Sequence, residues 1–110
     1  MILLTKANIA QLQRNKASKE EDHIPVVKFF APWSAATWLF TEIDEDGDRL
    51  FGLCDLGQGF PELGYASLAE IKAVRGPAGM KIERDRWFDP QGKKLSEYTT
   101  EATSSGRLIA

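Results

Sequence analysis

Hydrophobic and polar positions follow the clearest pattern in the middle of the chain, where two apolar runs flank a short acidic stretch. The runs extend from Trp38 to Ile43 and from Arg49 to Leu56, and β-branched, aromatic and aliphatic side chains dominate both. Between them lies Asp46-Gly47, a dipeptide that favours a tight turn because glycine adopts positive φ freely. The pattern therefore predicts a β-hairpin.

The first strand of this hairpin carries apolar groups on both of its faces. A period of two places Trp38, Phe40 and Glu42 on one face and Leu39, Thr41 and Ile43 on the other. We therefore expect an inner hairpin, with one face against helices and the other face partly covered.

Three segments have apolar residues at helical spacing, and the first two also begin with helix-capping signals. They are residues 6–16, 67–75 and 95–103. Thr5 is a suitable N-cap for the first helix, and Ser67 with Glu70 forms a capping box at the start of the second. The tail, residues 104–110, has too little apolar content to predict an ordered structure.

Two further strands are predicted outside the hairpin, over residues 26–30 and 81–88. The polar run 16–23 is expected to be a loop, and so is the segment 57–65, which contains three glycines and a proline. The element order is then α-β-β-β-α-β-α, and the short connections between strands require antiparallel pairing. We predict one α+β domain, residues 1–110, with a mainly antiparallel sheet of about four strands and helices on one face.

Composition adds limits on size and compartment. The 110 residues are 43% hydrophobic, which is enough for one core without disulfides. The single cysteine, Cys54, lies inside a predicted strand and is expected to be a buried, inert thiol in a reducing cytoplasm. No apolar run approaches the roughly 18 residues of a membrane span, so we expect a cytoplasmic protein without a membrane partner.

The formal net charge of −2 conceals a segregation of charge along the chain. Residues 1–41 carry a net +2, residues 42–70 a net −7 and residues 71–110 a net +3. The acidic middle is either a surface for an electropositive partner or a solvated face, and solvated faces are the commoner case. No broad basic face indicates nucleic-acid binding, because basic and aromatic residues interleave only around residues 81–88.

The acidic turn superficially resembles a calcium loop. Glu42, Asp44 and Asp46 place oxygen ligands at alternate positions before Gly47. Leu53, however, stands where such a loop needs a bidentate Glu, and the flanking segments are predicted strands rather than helices. We therefore expect a solvated hairpin turn and no bound calcium.

Other familiar ligand motifs are incomplete. Gly57 and Gly59 imitate the start of a dinucleotide fingerprint, but the third glycine and the following helix are missing. His23, the single histidine, lies in a predicted loop and is expected to be exposed, and one Cys with one His excludes a zinc site. No cofactor is predicted.

Four carboxylates and an arginine form the candidate catalytic set: Asp55, Glu62, Glu83, Arg84 and Asp85. In a metal-dependent hydrolase or nuclease, the carboxylates would hold a metal or act as base, and the arginine would stabilise developing negative charge. Such a site needs the carboxylates within about 4–6 Å of one another. Because Glu83 to Arg86 alternate in sign and offer one another ion-pair partners, this enzyme is the alternative and not the favoured reading.

A non-enzymatic module that binds a macromolecule is favoured instead, with a protein as the expected partner and nucleic acid as a further possibility. Trp33 and Phe60 are aromatic residues in predicted turns, where an exposed ring commonly anchors a partner. The proposed contact residues come from the acidic hairpin and the glycine-rich loop: Asp44, Asp46, Asp48, Phe60, Glu62 and Tyr65. A weaker alternative is nucleic-acid binding through the last strand, by Lys81, Arg84, Arg86 and Trp87.

The run TWLFTEIDEDGDRLFGLCDLGQGFPELGYASLAEI, with IERDRWF and PVVKFFAP, resembles an uncharacterised bacterial family of small single-domain proteins, the domain of unknown function 2958. The residues that match its pattern are Trp38, Glu42, Asp48, Gly52, Asp55, Gly57, Pro61, Glu62, Gly64, Glu83, Arg84 and Asp85. Because the family is frequent on plasmids, integrative elements and phage-like regions, the resemblance implies an accessory protein of mobile DNA. It implies no activity, but it does imply a protein or nucleic-acid partner.

Overall fold

A computed structural model describes residues 2–110. The elements in chain order are α1 (Lys6–Ala17), β1 (Val27–Phe30), β2 (Thr37–Ile43), β3 (Arg49–Asp55), β4 (Glu62–Ser67), α2 (Leu68–Ala73), a 3₁₀ turn (Pro77–Gly79), β5 (Glu83–Arg84) and α3 (Leu95–Ser105). All strand pairs are antiparallel, and the spatial order of the sheet is β4-β3-β2-β1-β5. The predicted α+β class is confirmed.

The sheet has five strands rather than the four expected, because β4 begins inside the segment 57–65 that was predicted to be a glycine-rich loop. Within it, Leu63 and Tyr65 alternate with Gly64, and β4 pairs with β3 over six consecutive positions. Glycine and proline disfavour strands on average, but an edge strand needs only one paired side. Pairing along β3 therefore overrides the local composition of this segment.

Helices lie on both faces of the sheet, and not on one face as predicted. On the first face, α1 and α2 bury a core around Leu12, Phe29, Phe40 and Ile71, in which the two phenyl rings meet edge to face with centroids 5.5 Å apart. On the second face, α3 covers a smaller core of five buried residues: Leu39, Leu53, Leu95, Tyr98 and Ala102. The large apolar groups on both faces of β2 and β3 require this second layer.

A β-bulge in β2 changes the predicted facing of its last residues. Phe40 pairs with Gly52 and Glu42 pairs with Phe51, so Thr41 is an extra residue. After the bulge, Ile43 joins Phe40 on the α1 side, and Glu42 moves to the opposite face. The Asn15 side chain of α1 donates to the Thr41 carbonyl oxygen at 2.9 Å and so satisfies an acceptor that the bulge leaves outside the ladder.

The last strand is much shorter than the predicted span of 81–88. After Glu83 and Arg84, the backbone N–H of Trp87 donates to the Asp85 carboxylate at 2.9 Å, and the N–H of Phe88 donates to the Asp85 carbonyl. Asp85 thus begins a turn, which is a common role for aspartate. No helix among residues 2–110 has the length and the apolar content to cross a membrane.

Candidate functional site

The four candidate catalytic carboxylates do not converge. Glu62 lies on β4 and Glu83 on β5, the two opposite edges of the sheet, which four strand spacings separate by about 19 Å. Asp55 lies at the end of β3, beside Cys54, the residue that pairs with Glu62. Because side chains alternate along a strand, Asp55 and Glu62 point to opposite faces.

Three members of this set, Asp55, Arg84 and Asp85, each have a structural partner. The Asp55 carboxylate is buried and accepts the N–H groups of Gly57 and Leu108, both at 2.8 Å. Arg84 donates to the Asn8 side chain at 2.6 Å, and Asp85 lies 3.5 Å from the Lys28 ammonium. Residues 2–110 contain no group of three or more His, Cys, Asp or Glu side chains that could hold a metal ion. The arrangement therefore gives no support to the metal-dependent hydrolase or nuclease.

Two of the three aspartates assigned to partner binding instead hold the fold together. The Asp44 carboxylate accepts the N–H groups of Asp48 and Arg49 at 3.0 and 3.1 Å, and the first of these bonds lowers the pKa of Asp44 below its ordinary value. Asp48 accepts the Ser67 hydroxyl and the Ala69 N–H, and so fixes the start of α2. Asp46 alone of the three is exposed and accepts no hydrogen bond within the described part of the chain.

His23 is buried, which corrects the prediction of an exposed loop histidine. The loop that carries it is attached to α3: the His23 carbonyl accepts the Leu95 N–H, and the Asp22 carboxylate accepts the hydroxyl and N–H of Ser96. The Ser96 hydroxyl lowers the pKa of Asp22. The Nε2 atom of His23 has no hydrogen-bond partner among residues 2–110. The sequence carries no apolar periodicity here that could have indicated this burial.

The predicted inertness of Cys54 has a physical cause in the structure. The thiol is half-buried, and desolvation raises its pKa to about 11. It therefore stays protonated at neutral pH, and a thiol without thiolate character is a poor nucleophile.

Several exposed apolar side chains lie in β4 and in the segment that precedes it. They form what we call the β4 edge surface, which consists of Leu56, Phe60, Leu63 and Tyr65. Phe60 is 78% exposed, Tyr65 58% and Leu63 49%. The Tyr65 ring packs against two side chains of its own protein, with the Phe51 ring 5.1 Å away and the Arg49 guanidinium 4.0 Å from the ring centroid. Phe60 and Tyr65 thus lie on the surface, as the partner-binding hypothesis requires.

The backbone of β4 also has free hydrogen-bonding groups. The N–H of Leu68 donates to the Asp48 carbonyl at 2.8 Å, which makes these two residues a hydrogen-bonded pair of the ladder. Because such pairs alternate along antiparallel strands, Gly64 and Ala66 turn their N–H and C=O toward β3. Leu63 and Tyr65, on either side of Gly64, therefore turn theirs outward from the sheet.

Of the other candidate aromatic anchors, Trp33 is half-buried and packs on Gly76, where an added Cβ would lie 2.3 Å from the indole ring. Trp87 is 88% exposed in the turn after β5. Of the residues of the nucleic-acid alternative, Lys81 and Arg86 are also exposed, but Arg84 is engaged by Asn8. The sequence prediction placed Trp87 on a strand and missed β4 as an open edge.

A family model described as "Protein of unknown function (DUF2958)" matches residues 3–109 of the chain. No curated protein matches the chain, and no solved structure matches it.

Proposed function

This chain belongs to the family of proteins of unknown function DUF2958, and from that premise we propose that it is a non-enzymatic module that binds a protein partner through the β4 edge surface. The observation that carries the proposal is the coincidence of exposed apolar side chains with outward-facing backbone groups on one strand. Leu63 and Tyr65 supply both.

An edge strand of this kind is unusual unless something covers it. Folded proteins protect their edges with charged side chains, proline, bulges or very short strands. β4 has six residues and no bulge, and Glu62 is its single charged side chain. An extended segment of another chain could continue the sheet here, with backbone hydrogen bonds providing affinity and alternate side chains meeting Leu63 and Tyr65.

The exposed rings add a reason to expect a protein rather than a small ligand. Phe60 and Tyr65 are of the residue types that anchor protein interfaces, and both rings are exposed rather than enclosed in the fold. The resemblance to a family frequent on mobile elements supports an accessory role there. The single cysteine, which has no intrachain partner, suits a reducing cytoplasm.

Site-specific photo-crosslinking tests this assignment in cells that express the chain. A benzophenone amino acid replaces Phe60 or Tyr65 in two variants, and Trp87 in a matched control, because Trp87 is at least as exposed and lies beyond the opposite edge of the sheet. We expect covalent protein adducts from positions 60 and 65 and few from position 87. Adding Leu63→Lys to the position-65 variant should remove the adduct. Equal adduct yields at all three positions, or none at 60 and 65, would refute the proposal.

A further inference from the structure

We infer that the partner which fits the β4 edge is a second copy of this chain, joined antiparallel to the first about a two-fold axis at Gly64. The inference rests on the proposed function, because it requires the β4 edge to be a contact surface. It goes further by assigning the occupant of that edge and the register of pairing.

The backbone groups are in the correct phase for this pairing. In an antiparallel ladder with Gly64 opposite Gly64 of the second copy, Leu63 of each copy lies opposite Tyr65 of the other. Both residues turn their N–H and C=O outward from β4, as the Leu68 to Asp48 bond and the ladder alternation establish. Two hydrogen-bonded pairs therefore form, with four backbone bonds across the axis.

The side chains match in the same register. Leu63 and Tyr65 lie on the face of the sheet that carries Phe51. In this register, the Leu63 side chain of each copy therefore meets the Tyr65 side chain of the other copy across the axis. Moving the register by two residues would place Leu63 opposite Ser67, or Tyr65 opposite Pro61, which has no N–H to donate. A shift of one residue would put the apolar groups of the two copies on opposite faces.

The one charged side chain of β4 does not oppose this arrangement. Glu62, the charged residue of β4, faces Ala66 of the second copy. The two Glu62 side chains are four residue positions apart along the strand direction, which is about 13 Å. This exceeds the Debye length of about 8 Å at physiological ionic strength, so their repulsion is largely screened.

The two edges of the sheet differ in a way that selects β4. β5 contains two residues, a length that offers little for another strand to pair with, whereas β4 contains six. A pairing of six-residue strands with two apolar side chains from each copy buries less than a standard interface. We therefore expect a weak dimer, with a Kd on the order of 10–100 μM.

Sedimentation equilibrium of the purified chain tests the association. The wild type should fit a monomer–dimer equilibrium, and Leu63→Lys should weaken the dimer at least about tenfold, because a charged side chain blocks an edge strand. The matched control is Trp87→Lys, which introduces the same charge at a more exposed apolar site and should leave the Kd unchanged. A wild-type chain that stays monomeric up to about 1 mM, far above the Kd of such an interface, overturns the inference.

A cysteine at the axis tests the register. Gly64 occupies a position where opposite Cα atoms lie about 4.5 Å apart, within the range of about 4.4–6.8 Å that a disulfide requires. An added Cβ at Gly64 meets no atom within 4 Å, so Gly64→Cys should fold. In a Cys54→Ala background it should form a disulfide-linked dimer on mild oxidation, whereas Glu62→Cys, on the same face of the same strand, should not. A dimer that Leu63→Lys disrupts but that Gly64→Cys does not link overturns the two-fold axis at Gly64.

The inference and the proposed function fail separately. A monomeric purified chain whose positions 60 and 65 still crosslink to a different protein retains the contact surface and eliminates the second copy as its occupant. Failure of both sedimentation and crosslinking eliminates both.

Discussion

At the scale of single residues, the structure explains why some of the positions that match the family pattern need a particular residue type. Gly52 is the sharpest case, because an ideal Cβ there would lie 1.8 Å from the carbonyl oxygen of Leu39 and 2.8 Å from the Cα of Phe40. Both atoms belong to the backbone of β2, next to the bulge at Thr41, and cannot move aside as a flexible side chain could. Gly52 is therefore required by close approach of two strands and not by positive φ.

We predict that Gly52→Ala destabilises the protein by at least about 3 kcal/mol, because the added methyl group forces β2 and β3 apart. Urea unfolding followed by circular dichroism measures the change. The control is Gly64→Ala on β4, where an added Cβ meets nothing within 4 Å, and the expected change is less than about 1 kcal/mol. Similar unfolding midpoints for the two variants would contradict the close approach.

The hydrogen bonds to Asp44 predict a pH dependence of stability. The Asp48 N–H, with the Arg49 and Gly47 N–H groups, lowers the pKa of Asp44 below its ordinary 3.8. A carboxyl group with a lowered pKa in the folded state stabilises the protein fully above its unfolded pKa, and the contribution disappears as pH falls through the folded pKa. The carboxylate should therefore stabilise the turn near pH 6, and the effect should disappear below pH 3.8.

Thermal unfolding at a series of pH values checks this sign. At pH 6 the wild type should melt above Asp44→Asn, and the gap should close as the pH falls below about 4, since protonation makes the two side chains alike. Asp46→Asn is the matched control in the same turn, because Asp46 is exposed and accepts no hydrogen bond among residues 2–110. Its melting temperature should follow that of the wild type. A gap for Asp44→Asn that widens toward acid would show that the carboxylate does not stabilise the turn.

At the scale of elements, sequence patterns predicted the helices and the central hairpin well. Strong local signals mark them, such as the Thr5 cap of α1, whose hydroxyl accepts the Asn8 N–H, and the Ser67 cap of α2. β4 was missed because its strand structure depends on pairing with β3, and glycine and proline conceal that pairing from a local pattern. The bulge at Thr41 was missed because a bulge inserts one residue without any required residue type.

Because of the bulge, we expect the stability of β2 to depend on a hydrogen bond from α1. Asn15 donates to the Thr41 carbonyl at 2.9 Å, so Asn15→Ala leaves that half-buried acceptor without its partner and should destabilise the protein by about 1–2 kcal/mol. Arg14→Ala on the same helix removes an exposed side chain and should change stability by less than about 0.5 kcal/mol. Urea unfolding distinguishes the two. An Asn15→Ala variant as stable as Arg14→Ala would show that solvent replaces the side-chain donor.

At the scale of the whole molecule, the sheet has a helical layer on each face and two unequal edges. The first layer was predictable from the amphipathic helices, whereas the second follows from apolar residues such as Leu39 and Leu53 on the opposite face. The β4 edge surface could not be predicted completely from the sequence. Sequence placed Phe60 and Tyr65 correctly on the surface, but the open edge beside them depends on the order of strands, which no local pattern contains.

The chain segment after α3 is attached to the sheet through Asp55, and this attachment gives a prediction for the whole fold. The buried Asp55 carboxylate accepts the N–H of Gly57 with one oxygen and the N–H of Leu108 with the other. Leu108 packs against the core under α3. Asp55→Ala should therefore cost about 2–4 kcal/mol, because two N–H groups lose a charged acceptor, and amide exchange in α3 should accelerate.

Two further variants test this structural role of Asp55. Asp55→Asn keeps one carbonyl oxygen for Gly57 but presents an NH₂ group to the Leu108 N–H, so its unfolding free energy should fall between those of the wild type and Asp55→Ala. Glu62→Ala, an exposed change on the neighbouring strand, should stay within about 0.5 kcal/mol of the wild type. Exchange rates in α3 that stay at wild-type values in Asp55→Ala would show that α3 is held by its apolar contacts alone. If Asp55→Ala left the unfolding free energy unchanged, the two hydrogen bonds would not explain why the Asp55 side chain is buried.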